Sequence, residues 1–283
     1  MKRIIITGAS GFVGSSLSKN FSNKYYEVIS IKRDDLQNIQ KLTSLLNDSY
    51  AVINLAGANI INRWSESYKK TLYNSRINTT RSLVKAMSYC QNKPNIFIST
   101  SAVGIYKNDK FYDETTIDFS NDFLGKLCQD WEKEALKAKE LKIRVAIFRF
   151  GIVMGNGGAL AKMLTPFKFG LGGTIGDGKQ AFSFIHIDDL ISAYKFVLEN
   201  KNLDGIFNLT APNPTTNYGL TKALGKSLNR PTIIPVPQFI LNVLLSEGAK
   251  VLTDGQSAIP SHLIESGFKF QYTTIEDTIK NLV

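Results

Sequence analysis

Ile4-Ile5-Ile6-Thr7-Gly8-Ala9-Ser10-Gly11-Phe12-Val13-Gly14 carries an apolar, β-branched run straight into three glycines spaced three residues apart. Residues without a Cβ let backbone N–H groups approach a pyrophosphate, while the helix that follows turns its positive N-terminal end toward the same anion. Glycines also serve ordinary turns, so the setting decides the reading. Here Phe12, Val13, Leu17 and Phe21 follow at helical spacing, and a second apolar run, Val28-Ile29-Ser30-Ile31, comes after them. Strand, glycine turn, helix and strand in that order are what a dinucleotide seat requires. Gly8, Ser10, Gly11, Phe12, Val13 and Gly14 are therefore expected to hold the diphosphate.

The choice of dinucleotide rests on the end of the second strand, about 20 residues after the glycines, where an Asp or Glu would bond a free 2′-hydroxyl. Lys32 and Arg33 stand there instead. A carboxylate repels a 2′-phosphate, whereas a guanidinium clamps it through two parallel charge-assisted bonds. NADP is expected over NAD, the alternative being that Arg33 decorates an exposed turn and Asp34 or Asp35 takes the ribose.

A chain of 283 residues, 43% hydrophobic and 20% charged, is long enough to bury a large α/β core without disulfides or metals. Two cysteines, Cys90 and Cys128, and two histidines, His186 and His262, form no ligand cluster, so no structural metal and a reducing compartment are expected. The most apolar late stretch, Phe239 to Leu245, is broken by Asn242 and preceded by Pro235 and Pro237, well short of the roughly 18 residues of a membrane span. The first strand uses the residues from Lys2 onward, leaving none for a removable leader, and the expectation is a soluble, cytoplasmic protein. A formal net charge of +10 is spread singly along the chain rather than in a basic run among aromatics, which reads as a solvated basic surface and not as a nucleic-acid site. Such a surface favours phosphorylated cofactors and acidic substrates.

Apolar runs at 3–7, 28–31, 51–56, 96–99 and 145–148 alternate with helical periods such as 122–141 and 188–199, the latter expected to be capped by Asp188-Asp189. That alternation implies an α/β fold with a parallel sheet wrapped by helices. From about Arg230 the texture changes, with Pro231, Pro235 and Pro237 before an apolar helix. The expected division is therefore residues 1–229 and a small C-terminal cap subdomain over 230–283. The glycine-rich piece Gly170 to Gly178 reads as a mobile loop, and residues 166–186 are expected to line the substrate cleft.

Several motifs resemble one group of proteins: the opening Thr7 to Gly14, Asn54-Leu55-Ala56-Gly57, and Ser99-Thr100-Ser101-Ala102-Val103-Gly104-Ile105-Tyr106. They look like the extended short-chain dehydrogenase/reductase superfamily of the sugar-nucleotide epimerase type. Arg63-Trp64, Ser75-Arg76-Ile77-Asn78, Gly157-Gly158-Ala159-Leu160, Gln180, Ser183 to Asp189 and Arg230-Pro231 narrow the resemblance to an epimerase-family branch with an extra C-terminal domain. The resemblance spans nearly the whole chain. It implies a Rossmann-like, doubly wound domain, with Asn54, Leu55, Ala56 and Gly57 lining the adenine side and Ser99 to Ser101 beneath the nicotinamide. The lesser alternative for Leu55 to Gly57 is a strand end that needs small residues for packing.

The superfamily's chemistry rests on a Tyr and a Lys four residues later, the Lys lowering the phenol's pKa. Matching Glu132 to the glutamate that follows this pair puts Leu124 and Cys128 in the two places, and neither replaces the missing residue. Tyr106 and Lys110 have the four-residue interval but fall around a polar loop, so Tyr106 alone is a candidate substrate contact or proton donor, with Ser101 assisting or serving a turn. Cys128 reads as a small buried hydrophobe. His186 is either an acid/base or a loop anchor, and Arg63 and Arg76 either hold an anionic substrate or form surface ion pairs. The expected function is an NADP-dependent oxidoreductase or epimerase acting on a small, hydroxylated or anionic substrate, with a proton relay drawn from Ser101, Tyr106 and His186. The alternative is a cofactor-binding regulator or scaffold that has lost catalysis.

Overall fold

The computed structural model describes every residue except Asp109, so the polar stretch 107–110 lies partly outside the described residues. Six strands, β1 (Lys2–Thr7), β2 (Tyr26–Ile31), β3 (Ala51–Asn54), β4 (Ile96–Ala102), β5 (Arg144–Phe150) and β6 (Gly205–Leu209), form one parallel sheet in the order β6-β5-β4-β3-β1-β2. The chain leaves β1 for β2 on one side and returns across it to β3 on the other. The resulting switch point, at the carboxyl ends of β1 and β3, is where ligands bind in open sheets of this kind.

Helices complete the two faces and a smaller lobe, among them α1 (Phe12–Phe21), α2 (Ile39–Leu46), α3 (Glu66–Tyr89), α4 (Phe123–Leu136), α5 (Gly158–Lys168), α6 (Ile187–Glu199), α7 (Asn217–Leu228) and α8 (Gln238–Leu245). Because successive strand residues point to opposite faces, Ile4 and Ile6 pack with Leu17, Phe21, Leu190 and Val197 of α1 and α6. Ile5, Val52 and Phe97 pack with Leu42, Leu83, Met87 and Ala135 of α2, α3 and α4 on the other face. Strands buried on both faces need the unbroken apolar runs seen in the sequence.

The segment after 229 packs closely onto the rest of the chain. Leu263 and Phe268 lie in the same cluster as β1 and α6, and Ile275 and Ile279 of the last helix, Ile275–Leu282, pack with Leu220 and Leu224 of α7. Asp189 does not cap α6 as expected: it accepts the amides of Gln271 (2.8 Å) and Tyr272 (2.9 Å), and the cap is His186, whose Nδ1 accepts Asp188 N at 3.0 Å. Nor does the glycine-rich stretch stand free. Val236 N donates to Thr174 O (2.7 Å), Gly176 N donates to Val236 O (2.9 Å), and a Cβ on Gly173 would lie 1.7 Å from Ile234 O. The apolar α8 buries none of its own side chains. No helix among the described residues is long and apolar enough to cross a membrane, and no group of three metal-ligating side chains is found among them.

A chain truncated after residue 229 is accordingly expected to give no cooperative unfolding transition. Leu263→Ala in the full chain should cost about 2–5 kcal/mol in a urea titration, because a fully buried leucine of the main core is removed.

Candidate functional site

At the switch point Gly8 takes φ +69°, and a Cβ there would lie 2.8 Å from Leu55 C. Gly14 is more confined, since its Cβ would stand 2.3 Å from Gly8 O. No side chain caps α1 at Gly11, and helical bonding begins with Ser15 N on Gly11 O at 2.8 Å, which leaves the Phe12, Val13 and Gly14 amides open at the positive end of the helix. The Phe12 ring is packed beneath a second glycine run, for Cβ atoms on Gly155, Gly157 and Gly158 would each fall within 2.6–2.8 Å of it. That contact gives Gly157 and Gly158 a packing reason and walls one side of the seat.

At the end of β2, Lys32 and Arg33 are exposed, and the Arg33 side chain has no ion-pair partner among the described residues. Asp35 is occupied: it accepts Lys32 N at 2.8 Å and pairs with Lys41 at 2.7 Å, and the Lys41 bond and Lys32 amide hold its pKa below the usual carboxylate value. The alternative in which Asp35 takes the ribose loses its carboxylate to these partners. Bare amides, a glycine cradle and a free guanidinium across the seat fit a phosphorylated dinucleotide.

Other expected contacts lie elsewhere. Asn54 is fully buried, accepting Thr7 Oγ1 at 2.7 Å and donating to Thr80 Oγ1 at 2.8 Å, so it braces the sheet end beneath Leu55 and Ala56 and lines no ligand surface. Thr7 Oγ1 in turn accepts the Leu55 and Ala56 amides at 3.2 and 3.3 Å, fixing the loop that leads to Gly57. Ser99 is wholly enclosed, its hydroxyl without a hydrogen-bond partner.

The three relay candidates are also enclosed. Ser101 Oγ donates to Glu132 Oε1 at 2.6 Å, and Glu132 is gripped bidentately by Arg149 Nε (2.8 Å) and Nη2 (2.7 Å) near the carboxyl end of β5. Arg149 Nη1 donates to the Tyr106 hydroxyl at 2.7 Å, which donates toward Asn208 Oδ1 (2.9 Å) and Asp113 O (3.0 Å). Burial opposes charge on Arg149, but the hydrogen bonds and charge of Glu132 outweigh it and hold the guanidinium ionised. Tyr106 is completely buried, and burial raises its pKa despite Arg149. Its hydroxyl locks the core and does not face the cleft, contrary to the expectation of a substrate contact. Sequence reading missed this network, although an arginine inside the apolar run Val145-Ala146-Ile147-Phe148-Arg149-Phe150 demands a buried partner.

His186 is 1% exposed; its Nδ1 caps α6, so Nε2 carries the proton and donates to Asn281 Oδ1 at 3.1 Å, with the ring stacked on Tyr272 at 3.7 Å. The loop-anchor alternative fits this placement and the acid/base role does not. At the entrance to α4, Leu124 lies against Gly104, where a Cβ would meet its Cδ2 at 2.5 Å. Cys128 is 2% exposed, and burial pushes its thiol up to about 12, which makes it the small hydrophobe expected. Arg63 is exposed, while its neighbour Trp64 is buried with Nε1 donating to Ile60 O at 2.9 Å. Arg76, by contrast, reaches in under Gly57.

Tyr106→Phe is expected to cost about 1–3 kcal/mol of stability in urea titration, since it strands Arg149 Nη1 and Asn208 in the core. Burial lowers the His186 pKa, so the folded state favours the neutral ring. Its stabilising contribution is complete above the unfolded pKa of about 6.5 and drains away as pH falls toward the lower folded value. Calorimetric Tm should therefore fall between pH 7 and 5 more steeply in the wild type than in His186→Asn, which keeps an acceptor for the Asp188 amide.

Residues 4–210 match the NAD dependent epimerase/dehydratase family, and residues 236–282 match a domain of unknown function. The epimerase family protein YfhF of Bacillus subtilis is 35% identical over 295 residues, covering 99% of this chain and 97% of that protein. A chloroplastic epimerase family protein SDR39U1 homolog of Arabidopsis thaliana is 35% identical, covering 99% and 86%. Among solved structures, the human epimerase family protein SDR39U1 (isoform 2) with NADPH superposes with a TM-score of 0.91 at 30% identity, covering 99% of this chain and 98% of that one. The nucleoside-diphosphate sugar epimerase of Corynebacterium glutamicum superposes with a TM-score of 0.81 at 28% identity, this chain spanning 58% of its length. With the glycine cradle, the switch point and both halves of the chain matched together, this protein belongs to the NAD-dependent epimerase/dehydratase family.

Proposed function

We propose that the chain is an NADP-dependent oxidoreductase or epimerase acting on a small anionic substrate in the crevice above the ends of β1, β3 and β4. The observation that carries the cofactor reading is Arg33, an unpaired guanidinium at the end of β2 whose neighbour Asp35 is already engaged. The NADPH held by the human SDR39U1 structure agrees with it. Gly8, Ser10, Gly11, Phe12, Val13 and Gly14 would hold the diphosphate, Lys32 and Arg33 the 2′-phosphate, and Leu55, Ala56 and Gly57 the side of the seat facing β3. When bound, the nicotinamide supplies reversible two-electron exchange with a carbonyl or alcohol carbon.

The chemistry runs without a Tyr/Lys dyad in this reading. Leu124 has no proton to give, and the Cys128 thiol, at about 12, neither ionises near neutral pH nor fixes a ribose as an ammonium would. Ser101, Tyr106 and His186 serve as positioning residues that hold the cleft walls, and the proton comes from the substrate's own groups or from solvent entering the cleft. A second reading, a dinucleotide-binding regulator without turnover, is favoured by the enclosure of all three relay candidates. Oxidation of NADPH by small keto acids, reduction of NADP⁺ by small hydroxy acids, or inversion of a chiral hydroxy acid with no net change of cofactor supports the first reading, and the absence of all three supports the second.

Arg33→Ala should weaken NADPH at least tenfold in calorimetry, one or two charge-assisted hydrogen bonds being lost, and leave NADH within twofold. Equal affinity of the wild type for NADPH and NADH would remove the role given to Arg33.

A further inference from the structure

Arg76 is a cation that no carboxylate pairs with among the described residues. It projects from the third turn of α3 with Nη1 donating to Leu72 O (3.2 Å) and Nη2 to Ala58 O (3.1 Å). One face of the guanidinium lies on Gly57, where a Cβ would come 2.9 Å from Cζ and 3.1 Å from Nη2. The other side is set against the Trp131 ring, 5.3 Å from its centroid. No carboxylate pairs with it among the described residues, and burial depresses its pKa, with Cys128 and Tyr68 as the nearest groups that offset this.

Two carbonyls account for two of the five N–H groups of a guanidinium. A largely buried, uncompensated cation is costly to a fold, and such groups are ordinarily paired. This one is clamped flat by a glycine and an indole, so its free edge is held in one orientation. Gly57 is itself exposed, directly follows the Leu55–Ala56 loop against Gly8, and so brings that edge to the floor of the crevice on the side of β1 away from Arg33. Cys128, in the place of the missing lysine, is the neutral group beside it.

We infer that Arg76 is an oxyanion receptor of the crevice, its fixed guanidinium edge taking two oxygens of a bound ligand, either the dinucleotide's diphosphate or a carboxylate or phosphate on the substrate. The inference rests on the crevice assignment above and supplies that reading with the group that selects an anionic substrate. Planar, paired donors match carboxylate and phosphate geometry, which a lysine's single ammonium does not.

The test compares wild type, R76Q and R76K in the full-length protein by calorimetry and thermal shift. Adenosine 2′,5′-bisphosphate reports the Arg33 end of the seat together with the adenosine-side phosphate, NADPH reports the whole of it, and succinate or inorganic phosphate added to NADPH-saturated protein reports a substrate oxyanion. If the diphosphate is the source, R76Q weakens NADPH at least tenfold, with the bisphosphate weakened as well where the adenosine-side phosphate is the one held and within twofold where it is the other. With the substrate as the source, R76Q leaves NADPH unchanged but abolishes the rise in Tm that succinate or phosphate gives the loaded wild type. A folded R76Q that matches wild type in all of these measurements overturns the inference. Should R76Q fail to fold, R76K decides: at least a threefold weakening in one arm supports the paired-donor geometry, and none refutes it. Failure of the bisphosphate to bind wild type would remove the dinucleotide reading instead, and Arg76 is then judged by whether succinate or phosphate raises the Tm of the free wild type and not of the variant.

Discussion

At the end of β1 the backbone of Gly8 runs against Leu55, and one helical turn later Gly14 folds back onto Gly8 O with no room for a methyl group. These two approaches set the distance between β1, the start of α1 and the loop after β3. The first turn of α1 can then present open amides, Thr7 can hold the Leu55 and Ala56 amides, and the loop continues to Gly57 over Arg76. A side chain at either glycine would separate the three elements. The anion seat and the cation beyond it would then no longer share one crevice.

Much of this was legible before the structure. Strand runs buried on both faces leave uninterrupted apolar stretches, and Ile4 to Gly14 states the strand, turn and helix in consecutive residues. The positions of Lys32 and Arg33 at the end of the second strand were readable because the length of one βαβ unit sets that place. The 24-residue α3 was harder to see: Glu66–Tyr89 is polar over much of its length, and its buried positions include Thr79 and Thr80, which carry no hydrophobic signal. How the C-terminal segment packs was not legible for a related reason. A cluster of prolines marks a change in local conformation, but whether Leu263 and Phe268 return to the first core is a long-range fact that spacing does not encode.

The relay candidates show where residue type stops being informative. Serine, tyrosine and histidine at strand ends look the same in sequence whether they face a ligand or the core. Here Arg149, on the fifth strand, decides between the two. A fully buried guanidinium draws Glu132 and the Tyr106 hydroxyl to itself, Glu132 then takes Ser101, and Tyr106 takes Asn208 on the sixth strand. The network joins three neighbouring strands to α4 at the level of the crevice floor. Removing one ionic partner of such a pair would cost about 3–5 kcal/mol, a scale that makes rigidity of the floor its first effect.

Cys128 and Arg76 are best understood together. A lysine at position 128 would bring its ammonium beside the Arg76 guanidinium, while the nearby Glu132 carboxylate is already taken by Arg149, and like charges in a poorly solvated space repel by several kcal/mol (~4 at 4 Å with an effective dielectric of 20). The neutral thiol avoids that repulsion, and its high pKa in turn keeps it from becoming the anion that would satisfy Arg76 internally. The cation beside Gly57 is therefore carried by α3 rather than by α4. It is held by backbone carbonyls, a glycine and a tryptophan instead of by a flexible four-carbon stem. A planar cation fixed in this way suits recognition of a planar oxyanion better than tuning of a neighbouring phenol, and position 124 accordingly holds leucine, with no phenol to tune.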